Sequence, residues 1–450
     1  MNRSRIVLFA LLVFVSALTF ATSAFGLPEL ASDRFQPVTG CGCHSALIDQ
    51  WSTSMHAKAM TDPLYLLKRD KANEASDGEL GAFCDACHGP VAVMSGEYLD
   101  FENASAQSRD AVGCDFCHQV TGTGSPIGNT SQIVEADGTK RAQFDDSVSP
   151  AHATAYSAFH ESAEFCGACH DVYHPALPSL QLEATYTEWK EGPYAAEGIV
   201  CQDCHMTPGP GVNKPYPGVA AGGGPQREHI YLMTFAGGNV GLGDAALAEE
   251  RLKAAVEIDM QVPEILESGM SAQVEVTLTN VGAGHYVPTG LTEVREMWLE
   301  VVATGADGSS EVIGEHIFGT VLRDAEGNFP VELWEAVAIE SDDRIPPRES
   351  VTDAFEFTMP DSEAVDISAT LYYRSCSEEM AAEAGVDIPT TTMVEMTRAV
   401  YANEDAKASA TRVQEGDEGS SAGLLPWILA AVVVLVAGFV IVVLRRRAVG

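Results

Sequence analysis

Basic residues are scarce: 26 Lys plus Arg stand against 64 Asp plus Glu in 450 residues, a formal net charge of −38. Nothing in that balance neutralises a phosphate backbone, so nucleic acid is excluded as a partner and docking on an anionic lipid surface is disfavoured. Residues 27–250 have few long apolar runs and weak periodicity, which leaves little for an ordinary hydrophobic core. Outside that half, Asp, Glu and His show no spacing of a hydrolase or a calcium site. Acidic residues are missing from both ends. A hydrophobic fraction of 46% nevertheless excludes a disordered chain, and the length suits two or three domains of ~150 residues.

The two ends read as targeting segments. Residues 1–26 carry Arg3 and Arg5, then a short apolar run, then Ala24 and Gly26 before a cut preceding Leu27, the pattern of a signal peptide. Residues 424–444 hold no charge and are followed by Arg445, Arg446 and Arg447. That length spans a bilayer, and the arginines place the tail, 445–450, in the cytoplasm. The expectation is one transmembrane helix, with the body on the periplasmic or extracellular side of the cell membrane. Residues 402–423, rich in Ala, Ser, Glu, Asp and Gly, form a flexible stalk.

The body divides in two. Residues 27–250 hold ten of the eleven cysteines. Residues 251–401 alternate apolar and polar residues in short runs such as Val274 to Leu278 and Asp366 to Leu371, separated by turn signals such as Asp307-Gly308. About seven strands at this spacing predict an immunoglobulin-like antiparallel β-sandwich. Residues 245–255 read as a helix joining the halves.

Four C-x-x-C-H motifs stand in the first half: Cys84, Cys87, His88; Cys114, Cys117, His118; Cys166, Cys169, His170; and Cys201, Cys204, His205. This is the haem-attachment pattern. Two thiols add across the haem vinyl groups, and the adjacent histidine is carried under the iron as proximal ligand. Disulfides and zinc ribbons do not demand a histidine after every second cysteine. Cys41-Gly42-Cys43-His44 is one residue shorter. It admits three readings: haem through both thiols with Gly42 allowing the tighter turn, haem through Cys43 alone, or none. The following segment, WSTSMHAKA at 51–59, favours a haem.

These residues resemble the multihaem c-type cytochromes, in particular the bis-histidine electron-transfer cytochromes related to the tetrahaem carriers of ammonia oxidation. WSTSMHAKA at 51–59, SAFHESAEFCGACH at 157–170, EWKEGPYAAEGIVCQDCHM at 188–206 and GAGHYVPTG at 282–290 carry the likeness, which covers roughly 38–300. The shortened first motif departs from it. The resemblance implies a mostly α-helical and loop multihaem domain that transfers electrons and names no substrate.

Seven histidines remain to supply distal ligands to five irons. We expect His56, His160, His229 and His285, with His152 and His174 competing for the remaining iron and either able to displace His160. His316 falls in a predicted strand and is set aside. His285 lies between strands in a glycine-rich loop, Gly282 to Pro288, whose glycines would let the backbone approach a bulky flat group. Cys376 reads as a half-buried free thiol, with a redox or intermolecular role as the alternative.

The expectation is therefore a membrane-anchored, exported pentahaem cytochrome c. It would pass electrons between a membrane donor such as a quinol dehydrogenase, or another cytochrome, and an outside acceptor. The alternative is an oxidoreductase with one open-coordination haem acting on a small nitrogen or sulfur compound. Against that alternative, no C-x-x-C-K site is present.

Overall fold

The computed structural model describes residues 27–410. The expected signal peptide and the expected span at 424–444 lie outside them. Among the described residues no helix is long and apolar enough to cross a membrane.

The first half is built of short helices and loops. Helix α1 is Ser45–Thr53, α2 Pro63–Ala75, α3 Gly81–His88, α4 Thr185–Glu191 and α5 Cys201–His205. Only α2 is long, and its start shows why it forms there: Asp62 accepts a hydrogen bond from the Leu64 N–H at 2.9 Å, and Pro63 occupies the first turn. Two-stranded ladders, Val120–Thr123 with Gln132–Val134 and Val172–His174 with Leu177–Glu183, fill the gaps. The apolar clusters here are small, one around Phe35, Met94 and Phe116 and another around Ala59, Met60 and Ala111.

Helix α6, Ala245–Ala255, capped by Asp244, leads into the second half. There the strands are β1 Val256–Gln261, β2 Ser271–Asn280, β3 Glu296–Gly305, β4 Ser310–Phe318, β5 Thr320–Arg323, β6 Ala338–Asp342, β7 Ser350–Thr358, β8 Ala364–Arg374 and β9 Thr391–Tyr401. One antiparallel sheet runs β4-β3-β8-β9, the other β7-β2-β1, and β5 pairs with β6. Alternate residues point inward: Met297, Leu299 and Val301 on β3 meet Val274, Val276 and Leu278 of the opposite sheet and Ile367, Ala369 and Leu371 of β8 in one core. Each such large side chain contributes about 1.5–3 kcal/mol by burial. This half is thus a β-sandwich with its own core, and the first half lacks a comparable one.

The halves are clamped by charge. Glu188 on α4 and Arg344 are both nearly buried and form an ion pair. Glu188 also accepts from the Thr289 hydroxyl at 2.7 Å and the Tyr286 N–H at 3.1 Å. Arg348 and Glu197 add a second, exposed pair. Gly282 sits against the end of α6: a Cβ there would lie 2.1 Å from the Ala254 carbonyl oxygen. This glycine packs against helix backbone and also lines the cavity described below.

Candidate haem-binding cavity

One continuous cavity of about 1510 Å³ runs through the first half and reaches the Gly282–Leu291 loop of the sandwich. All ten motif cysteines and all five motif histidines line it. The C-x-x-C-H segments form short helical turns, Cys114–Cys117 and Cys201–His205 among them, which direct both thiols and the histidine to one side. Burial pushes the Cys84 thiol up to about 11 and those of Cys114 and Cys117 to about 12.

Four motif histidines face another histidine across the cavity. Ring centres are 6.4 Å apart for His44–His152, 5.8 Å for His118–His160, 6.2 Å for His170–His56 and 6.2 Å for His205–His285. Ligand nitrogens lie about 2 Å from a metal and roughly 1 Å from their own ring centre, so two imidazoles on opposite sides of one iron have centres about 6 Å apart. The four spacings fit a six-coordinate haem iron.

Proton positions sort the histidines further. A metal-binding imidazole donates through its other nitrogen. The Nδ1 of His44 donates to Ala220 O at 2.8 Å, of His88 to Ala59 O at 3.1 Å, of His118 to Arg141 O at 2.7 Å and of His205 to Ala236 O at 2.8 Å. His152 and His285 donate likewise to Ala153 O and Tyr286 O. Each keeps Nε2 as the lone-pair nitrogen. His170 donates through Nδ1 to Glu183 at 3.3 Å. His160 shows the reverse arrangement: Nε2 donates to Cys117 O at 3.0 Å, and the buried Nδ1 has no partner. Burial holds His56 at about 3 and His88, His160 and His205 at about 4, so these rings are neutral.

His229 and His174 differ. His229 Nδ1 accepts the Tyr216 N–H, and His174 Nδ1 accepts the Ala176 and Leu177 N–H groups. Their proton then sits on Nε2, and that of His229 is buried without a partner. Neither stacks opposite a motif histidine, and His229 does not line the cavity. Of the expected candidates, His152 faces a motif histidine and His229 does not. His316 lies on β4, bonded to Asp353 at 2.8 Å, outside the cavity. Cys376 is fully buried beside Leu64 and Ile388, as a small apolar residue would be.

His88 has no histidine opposite it. The Tyr65 ring lies 3.7 Å away and nearly parallel, too close for an iron between them. The Tyr65 hydroxyl donates to Asp85 at 2.6 Å, inside the same motif, and Arg69 holds Asp85 from the other side. No local pattern in the sequence singles out Tyr65; the stack is formed by the packing of α2 on α3.

Repeated haem-attachment motifs, paired imidazoles and a cavity in place of a core define a c-type cytochrome. A profile of the family described as cytochrome c554 and c-prime matches residues 41–119. The fold is similar to that of a penta-heme cytochrome c552 from Thermochromatium tepidum, at 19% identity and a TM-score of 0.60, covering 82% of this chain and 99% of that one. A CARDB domain of the PF1109 protein from Pyrococcus furiosus aligns with 32% of this chain and 85% of its own, at 14% identity and a TM-score of 0.18. Among curated proteins none matches. The chain is a multihaem c-type cytochrome that binds haem c.

Proposed function

We propose that the chain binds five haems c and moves electrons among them. The observation that carries this reading is the set of four histidine pairs at 5.8–6.4 Å. Haem c supplies reversible one-electron chemistry when bound. In this reading Cys41 and Cys43, with the eight C-x-x-C-H cysteines, make the covalent links. His44, His88, His118, His170 and His205 are proximal ligands, and His152, His160, His56 and His285 are distal to four of them.

Contacts between the motifs suggest the order of travel. Cys41 lies near Cys114, and Cys169 near Cys117. Cys169 lies beside Cys87, and Cys166 beside Cys201. The His170 centre is then a junction, reached from the His44 and His118 centres and branching to those of His88 and His205. With residues 1–26 removed and 424–444 as anchor, the domain stands outside the cell membrane and exchanges electrons with a quinol dehydrogenase or another cytochrome. Mass spectrometry and a pyridine haemochrome assay should give five haems; four would remove Cys41 and Cys43 from the site. Protease treatment of wall-stripped cells should release a haem-staining fragment ending within 402–423; protection would overturn the orientation.

One observation favours a second reading. His88 has Tyr65 beside it and no second imidazole, which leaves one haem able to take a small nitrogen or sulfur compound as sixth ligand and act as an oxidoreductase. Turnover of such a compound at that haem, lost when His88 is replaced, would favour the enzyme over the carrier.

A further inference from the structure

We propose that the surface around the His44–His152 pair is the docking face for a basic electron-transfer protein, one presenting an uncharged patch ringed by Lys and Arg. The inference rests on the reading of His44 and His152 as ligands of one haem.

Three chain segments without Asp, Glu, Lys or Arg converge there: 35–48, 147–160 and 215–226. Their meeting is set by hydrogen bonds. Ala220 O accepts from His44 Nδ1 at 2.8 Å, and the Gly222 N–H donates to Cys43 O at 2.6 Å. His152 completes the set across the cavity. The 215–226 segment crosses the motif as a strap, turning at Gly223 with φ +78, a conformation natural to glycine.

This is also where the cofactor cavity meets solvent. Of the eleven cysteines Cys43 alone is exposed; the other nine motif cysteines are half-buried and Cys376 is buried. Gly42, Pro150, Gly223 and Pro225 are exposed beside it, and Val148 is 94% exposed. By contrast His205–His285 is covered by the sandwich, whose loop is clamped to Glu188.

Acids bound the patch. The segments are flanked by Asp49, Asp145–Asp146 and Glu161, and by Arg34, Lys214 and Arg227, the last followed by Glu228. The cations at its edge are engaged: Arg227 pairs with Asp146 at 2.8 Å, and Lys214 reaches Asp203 at 3.2 Å and Tyr231 at 3.0 Å. An apolar centre with a charged rim is the anatomy of a small transient interface, in which charge speeds encounter and the centre excludes water. A chain of net charge −38 steers a basic partner.

The test uses the full holoprotein, after a haem count, reduced and mixed in stopped flow with an oxidised basic single-haem cytochrome. The rate constant should fall steeply with ionic strength and exceed that for an acidic cytochrome. Val148→Lys should slow the basic probe roughly tenfold, with haem content and dithionite reduction unchanged. Val312→Lys, on the exposed face of β4, should stay within about twofold of wild type. Five haems with an unchanged Val148→Lys rate, equal slowing by both variants, or a faster acidic probe would each overturn the docking face and leave the five-haem reading standing. A wild-type dimer in sedimentation that Val148→Lys dissociates would overturn it in favour of a second copy. A count of four with Cys41 and Cys43 unmodified would refute both readings together.

Discussion

His205, in the last cysteine motif, and His285, in a loop of the sandwich, face each other at 6.2 Å between ring centres with planes 18° apart. One side chain of the β-domain thus reaches into the motif-lined cavity. His285→Ala should leave haem number unchanged and create one further high-spin iron, seen by EPR, at a raised potential. Proteolysis near 245–255 should become easier as the halves loosen. A high-spin signal no larger than that of wild type would reduce the sandwich to a spacer.

The loop that carries His285 is held from the other side by Glu188. Removing that carboxylate leaves Arg344 nearly buried with Asp342 as its remaining partner. Breaking a buried pair costs about 3–5 kcal/mol, and the surviving Asp342 contact places Glu188→Ala near the lower end. The measurements are denaturant unfolding and the spin state of the His205 iron. Stability lost with no rise in high-spin signal would mean that Glu188 clamps the domains without positioning His285.

Four facing pairs for five motifs leave His88 different from the rest. The oxidised protein is expected to bind one equivalent of cyanide at the His88 iron, with wild type showing a single high-spin component. Tyr65→Leu should alter the rhombicity of that component, because the stacked ring and its bond to Asp85 fix the imidazole plane. Saturation at zero equivalents would show that another side chain closes the site.

Glu293 contributes a pH dependence of its own. Burial pushes its carboxyl up to about 7, with its own backbone, Lys68 and Arg295 only partly offsetting it, and Oε1 has no hydrogen-bond partner. The folded form holds its proton more tightly than the unfolded chain at about 4.5. Stability therefore falls as pH rises from about 4.5 to 7 and levels off above. Glu293→Gln should stabilise the protein at pH 8 by about 1–3 kcal/mol and do nothing at pH 4. Equal melting-temperature shifts at both pH values would contradict this.

The cofactor class was legible because attachment is local chemistry: two thiols and a histidine must lie within five consecutive residues, so Cys84 to His88 announces itself in any context. The sandwich strands were legible for a similar reason, since the period-2 alternation of Val274, Val276 and Leu278 is written along one strand. Which histidine lies across from which could not be read this way. His152 and His229 are equally plain in sequence. They are separated by whether Nδ1 meets a carbonyl, as with Ala153, or an N–H, as with Tyr216. Those partners come from the path of the folded backbone, and the sequence spacing of the histidines does not encode it. The same holds for Tyr65 on His88, for the Glu188 clamp on the His285 loop, and for the strap at 215–226 over Cys43. Each joins residues whose approach is decided by packing around the cavity, which only the tertiary structure determines.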